Sequence, residues 1–142
     1  MIEGMKPPEA LLASIREQGF DGNGRPIVSL EEFFEGNDDP ASIGCNLSPH
    51  PGVATFYSVL REIRHREDVQ DVFVAITDDM GDDEWPFSAT VYVITRASAR
   101  DVQRWAARLE PDADIGEGYF PAPPARAPAL LPDHRVVTLW WD

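Results

Sequence analysis

The sequence predicts an α+β domain, a two-layer sandwich in which helices cover one face of an antiparallel four-stranded sheet. Three observations lead there. VFVAIT at 72–77 and TVYVIT at 90–95 are rich in β-branched and aromatic residues, which fit a pleated, half-buried surface. RVVTLWW at 135–141 has the same character at the end of the chain. Between these runs, apolar residues recur at three- and four-residue spacing, the period of a helix with one buried face. The central runs are nearly continuous in apolar character, so much of both sheet faces is expected to be covered.

The chain opens with MIEGMKPPEA. This start lacks a basic region followed by an apolar one, so no secretory signal is expected. Pro7-Pro8 before EALLASIREQ predicts a first helix, since proline is accepted in a first turn. Leu11, Leu12 and Ile15 form its apolar stripe, and Gly19 stands where a glycine ends a helix, with Phe20 able to fold back. Asp21-Gly22-Asn23-Gly24 is a turn cluster. Ile27-Val28 predicts a brief extended piece. Ser29, with Glu32 three positions on, has the form of a capping box for a short helix through Phe34 that ends near Gly36. The acidic residues Glu35, Asp38 and Asp39 follow, and Pro40 closes them. Residues 42–47 are expected as a strand, although Gly44 and Asn46 weaken it.

A longer helix is expected over residues 52–66, with Val53, Phe56, Tyr57, Leu60 and Ile63 on one face. Arg61, Arg64, His65 and Arg66 crowd its last turn, a favourable cationic end to the helix dipole that can also draw in a carboxylate. After the two central strands, Ser98 caps a helix whose stripe is Val102, Trp105, Ala106 and Leu109, and Pro111 marks its end. Pro111, Pro121, Pro123, Pro124, Pro128 and Pro132 make residues 111–132 an extended strap laid over the domain.

From residue 42 onward the order is strand, helix, strand, strand, helix, strand, the ferredoxin-like βαββαβ order. One domain of residues 1–142 is expected. Residues 1–41 are its helical N-terminal segment, 42–110 and 133–142 its α+β core, and 111–132 its strap. The sheet face away from the helices carries groups such as Phe73, Tyr92 and Trp140 or Trp141. Its expected cover is the first forty residues or a second copy, a homodimer through a sheet face.

The connection at residues 78–87 exceeds the about two to five residues of ordinary hairpin loops. It gathers Asp78, Asp79, Asp82, Asp83 and Glu84, then Trp85-Pro86-Phe87. Crowded carboxylates repel and stay hydrated unless a cation or basic partner arrives. Trp85 is either a plug docked back on the core or an aromatic anchor for a partner. Lys plus Arg number 12 against 25 Asp plus Glu, a net charge of −13. That balance argues against a bare nucleic-acid backbone and an anionic membrane surface, and it attracts cationic partners. Cys45 is the only cysteine, so no internal disulfide forms, which fits a reducing compartment. No apolar run approaches the roughly 18 residues of a membrane span. A cytoplasmic protein is expected.

The motifs of familiar chemistries are absent. There is no G-x-S-x-G elbow, no H-E-x-x-H and no P-loop, and Gly22-x-Gly24 lacks the rest of a dinucleotide fingerprint. Cys45 is expected to be a small buried thiol and its neighbour His50 a poor sign of catalysis. His50, His65 and His134 are too scattered for structural zinc. The acidic loop fails the calcium-loop pattern because Met80 stands where a ligand is needed. No cofactor is expected. The reading these observations favour is a non-catalytic acidic protein-binding module, of inhibitor or immunity type, for a basic partner. Its contact residues would be Asp78, Asp79, Asp82, Asp83, Glu84 and Trp85. A small carboxylate enzyme, with or without a divalent metal on Asp78, Asp79, Asp82 and Asp83, is one alternative. A homo-oligomeric scaffold joined through a sheet face is another.

Overall fold

The computed structural model describes residues 6–20, 24–112 and 116–142. Asp21, Gly22 and Asn23 of the expected turn cluster lie outside the described residues, as do the first five residues. Helix α1 spans Glu9–Gln18, strand β1 Ile27–Ser29, α2 Leu30–Phe34, α3 Val53–Arg64, β2 Val69–Ala75 and β3 Thr90–Thr95. They are followed by α4 at Ala99–Trp105, β4 at Gly116–Glu117 and β5 at Arg135–Trp140. The strands form one antiparallel sheet in the order β1-β2-β3-β5-β4. The α+β class is therefore as read from the sequence, but the sheet has five strands among the described residues and its order differs from the ferredoxin-like one. A ferredoxin-like sheet interleaves strands of its two halves, whereas β1, β2, β3 and β5 here are neighbours in chain order.

The difference begins at residues 42–47, which form no strand. Pro40–Ser42 is a 3-10 turn capped by the Asp39 carboxylate on the Ala41 N–H. Gly44 then takes a left-handed φ of 63°, which breaks an extended run. A Cβ there would stand 2.7 Å from the Phe56 ring, so the chain needs glycine at this approach. Ile43 forms only an isolated parallel bridge to Ser88, beside a hydrogen bond from the Ser88 N–H to Ser42 O. The edge place goes instead to β1, where Val28 faces Val74 across the ladder.

Alternation along the strands divides the core in two. Val28, Val72, Val74, Val91, Val93, Val137 and Leu139 point to the helix layer, where they meet Leu11, Phe33, Phe56, Leu60 and Val102. Ile27, Ala75, Tyr92, Ile94 and Val136 point the other way. The predicted capping box of α2 is present, with Ser29 accepting from the Glu32 N–H and Glu32 from the Ser29 N–H. The cationic end of α3 does draw in a distant carboxylate: Arg64 grips Glu31 with two hydrogen bonds of 2.7 and 2.5 Å. Arg61 and Arg66 lie over the rings of Tyr57 and Trp105.

The second sheet face is covered by the strap, not by the first forty residues, whose α1 packs in the helix layer. The strap is pinned by backbone and side-chain bonds together. Gly118 N–H donates to Val136 O at 2.7 Å, Thr138 Oγ1 to Gly118 O at 2.5 Å, and the Tyr92 hydroxyl to Phe120 O at 2.8 Å. Further on, Arg126 reaches Ser14 and Glu17 of α1, and Gln70 bonds both Ala129 O and the Leu131 N–H. Where the strap leaves the sheet it runs against Gly24, at which a Cβ would stand 2.3 Å from Pro123 O. The strap thus covers part of this apolar face within one chain.

Candidate functional site

The acidic loop is a built structure. Asp78 and Phe87 form an isolated antiparallel bridge that narrows it at the base. Asp78 Oδ1 accepts the Met80 N–H at 2.9 Å and Asp79 Oδ1 the Gly81 N–H at 3.1 Å. These Asx turns support the left-handed φ of 58° at Met80 and 90° at Gly81. Trp85 is only 4% exposed, and its indole N–H donates to Phe33 O at 2.8 Å. Of its two sequence readings, the structure places it as the plug; its ring faces the core and offers no surface to a partner.

Asp78, Asp82, Asp83 and Glu84 are exposed and Asp79 is half-buried. Helix α1 and the segment before it supply one cation each. Arg16 lies 2.7 Å from Asp82 and 3.6 Å from Asp79, and Lys6 lies 3.2 Å from Asp83. The Asp82 hydrogen bond, with the charges of Asp82 and Asp79, makes Arg16 hold its proton more firmly still. Among the described residues, Asp78 and Glu84 make no ion pair. Arg64 and Arg66 stand near the start of β2, and Arg96 follows β3, its N–H bonded to Asp68 O. The strand length between, at about 3.3 Å per residue, separates these arginines, of which Arg64 pairs with Glu31 and Arg66 with Asp68, from the acidic loop.

A second feature opens at the loop end of the sheet, on the strap side. Two cavities of about 550 and 510 Å³ share Arg25 and Thr77. The first is also lined by Phe20, Gly24, Asp78, Asp79 and Pro121. The second lies between Tyr119 and Phe120 of the strap and Thr90, Thr138 and Trp140 of the sheet. Arg25 is half-buried. Sequence reasoning singled out Trp140 as a sheet-face aromatic but passed over Arg25 and Tyr119. Neither carries a local signal; they meet only because the strap crosses the sheet.

The remaining candidates are placed as follows. Cys45 is exposed, not buried as expected, because it follows the left-handed turn at Gly44 in place of a strand. His50 accepts the Gly52 N–H on Nδ1 at 2.9 Å, which leaves its Nε2–H to donate to Ile43 O at 2.8 Å. Both ring nitrogens are spent on the approach to α3. Among the described residues, no three His, Cys, Asp or Glu side chains converge as ligands for a metal, and no helix is long and apolar enough to cross a membrane.

Compared with known proteins, residues 6–139 match the family model described as "Uncharacterized protein YfbO family". The chain belongs to the YfbO family. It is 39% identical over 127 residues to the Escherichia coli K12 protein described as "Uncharacterized protein YfbO", covering 83% of this chain and 84% of that one. No solved structure matches. The YfbO match runs from the N-terminal side of α1 into β5, so it takes in Arg16, Arg25, the acidic loop and the strap.

Proposed function

We propose that this YfbO-family chain is a non-catalytic binding module that takes a basic protein surface on its loop at residues 78–84. One observation carries the reading: the loop's carboxylates ride on a hydrogen-bonded frame and, among the described residues, form ion pairs with Lys6 and Arg16 alone. The Asx turns and the buried Trp85 hold that frame. A rigid loop loses little freedom when a partner docks, and clustered charge accelerates encounter with an opposite surface. Met80, 44% exposed at the tip, adds a soft apolar contact at the centre of the charges. Trp85 anchors the loop to its own domain, and Asp78, Asp82, Asp83 and Glu84 face the partner.

A charge-balanced comparison tests this. Asp82→Lys/Asp83→Lys is set beside Glu62→Lys/Glu67→Lys, an equal charge change on exposed positions at the other end. A stoichiometric partner recovered at low salt with the native chain and with the Glu62/Glu67 variant, but not with the loop variant, is the expected result. Equal recovery by both variants removes the loop from the contact.

A further inference from the structure

The two cavities that share Arg25 overlap the partner-binding loop only at Asp78 and Asp79, whereas the partner-binding reading is tested at Asp82 and Asp83. Their sizes, about 550 and 510 Å³, fall in the range of roughly 300–1,000 Å³ typical of small-molecule sites. The chemistry of their walls is unusual for so acidic a chain. Arg25 lines both, and among the described residues it makes no ion pair or hydrogen bond. Burial raises the Tyr92 hydroxyl above its ordinary range, and the Arg25 charge offsets this only in part. The Tyr119 hydroxyl is buried and has no hydrogen-bond partner among the described residues, a state proteins normally avoid. Asp78 lines the first cavity together with Arg25, and its Oδ1 accepts the Met80 N–H. The Tyr119, Phe120 and Trp140 rings supply the apolar wall, and Phe120, 71% exposed, stands at the mouth. Its backbone is tied to the Tyr92 hydroxyl on both its carbonyl and its N–H, at 2.8 and 3.4 Å.

These groups select by exclusion. A simple anion meets Arg25 but is repelled by Asp78, Asp79 and a net charge of −13. A simple cation meets Asp78 but is opposed by Arg25. A ligand that carries both charges on neighbouring atoms satisfies both sides, and an apolar tail fills the space under the strap. We propose that the groove binds a free α-amino acid with a large apolar side chain. Its carboxylate lies on Arg25 and its ammonium toward Asp78, with the side chain between Tyr119 and Trp140. A peptide would not serve, since each of its ends carries only one of the two charges.

Titration calorimetry of the full chain tests the assignment. The probes are L-phenylalanine, L-tryptophan and L-leucine, with 3-phenylpropionate lacking the ammonium and phenethylamine lacking the carboxylate. Saturable binding of at least one amino acid is expected, with each single-charge analogue of L-phenylalanine at least about tenfold weaker, because a site built to hold a polar group rejects the analogue without it. Arg25→Gln should bind L-phenylalanine and phenethylamine alike. Asp78→Asn should bind L-phenylalanine and 3-phenylpropionate alike. Backbone amide spectra of each variant verify the fold and place the response at Thr77, Thr90 and Thr138. No saturable binding of the three amino acids at millimolar concentration overturns the proposal. So does undiminished binding to Arg25→Gln, or tighter binding of 3-phenylpropionate than of L-phenylalanine.

Discussion

Trp85 joins the acidic loop to the core through one hydrogen bond and one buried ring. Trp85→Phe removes the bond and keeps most of the ring. Phe33 O retains the Asn37 amide at 3.2 Å, so the expected loss is about 1 kcal/mol. Trp85→Ala empties the site and should cost about 3–5 kcal/mol, read from urea denaturation; equal losses for the two would mean the ring is not packed. Glu31 gives a second prediction. The Arg64 hydrogen bonds hold its carboxyl at about 2, well below the ordinary 4.5. A depressed folded value contributes stability that is complete above the ordinary value and is lost as pH falls through the folded one. The native chain should therefore lose more stability between pH 5 and pH 2 than Glu31→Gln. The pair is partly exposed, so screening limits its worth to about 1 kcal/mol or less. Identical acid limbs in the two proteins would show the pair to be idle. Single residues were only half legible in the sequence. Trp85 beside proline was readable as a plug, whereas the exposure of Cys45 turns on one left-handed glycine upstream.

Elements with local causes were legible. The Ser29–Glu32 capping box, the Ser98 cap of α4 and the stripes of α1 and α3 follow from neighbours a turn apart. The missing strand at residues 42–47 has a non-local cause, the approach of Phe56 to Gly44. The strap was legible as an extended segment from its prolines, but its path over Tyr92 depends on partners distant in the chain. Gly24 is the tightest point of that path. Gly24→Ala places a Cβ against the carbonyl backbone of Ala122 and Pro123. Overpacking of this kind costs about 1–3 kcal/mol, and the strap must lift to relieve it. Hydrogen exchange should quicken at the Gly118 and Phe120 amides while the β2–β3 amides stay protected. Unchanged exchange at Gly118 and Phe120 would mean that the strap is held without this contact.

On the scale of the molecule, charge is the organising quantity. Twenty-five acids against twelve basic residues leave a self-repulsion that salt screens, with a Debye length of about 8 Å at physiological ionic strength. The melting temperature should therefore rise between 0.02 and 0.3 M sodium chloride, and a fall would mean that the ion pairs of α1 and α3 outweigh the repulsion. The net charge was legible from composition. Its distribution was not, because it requires knowing that the loop at residues 78–87 and the arginines around β2's start lie at opposite ends of one sheet. The proposed partner contact rests on the loop's own exposed carboxylates. The most direct test is the association rate of the recovered partner as a function of salt. Steering by the loop predicts a steep fall with salt for the native chain and for Glu62→Lys/Glu67→Lys, and a slow, nearly salt-independent rate for Asp82→Lys/Asp83→Lys. An equally steep dependence in all three would contradict the account.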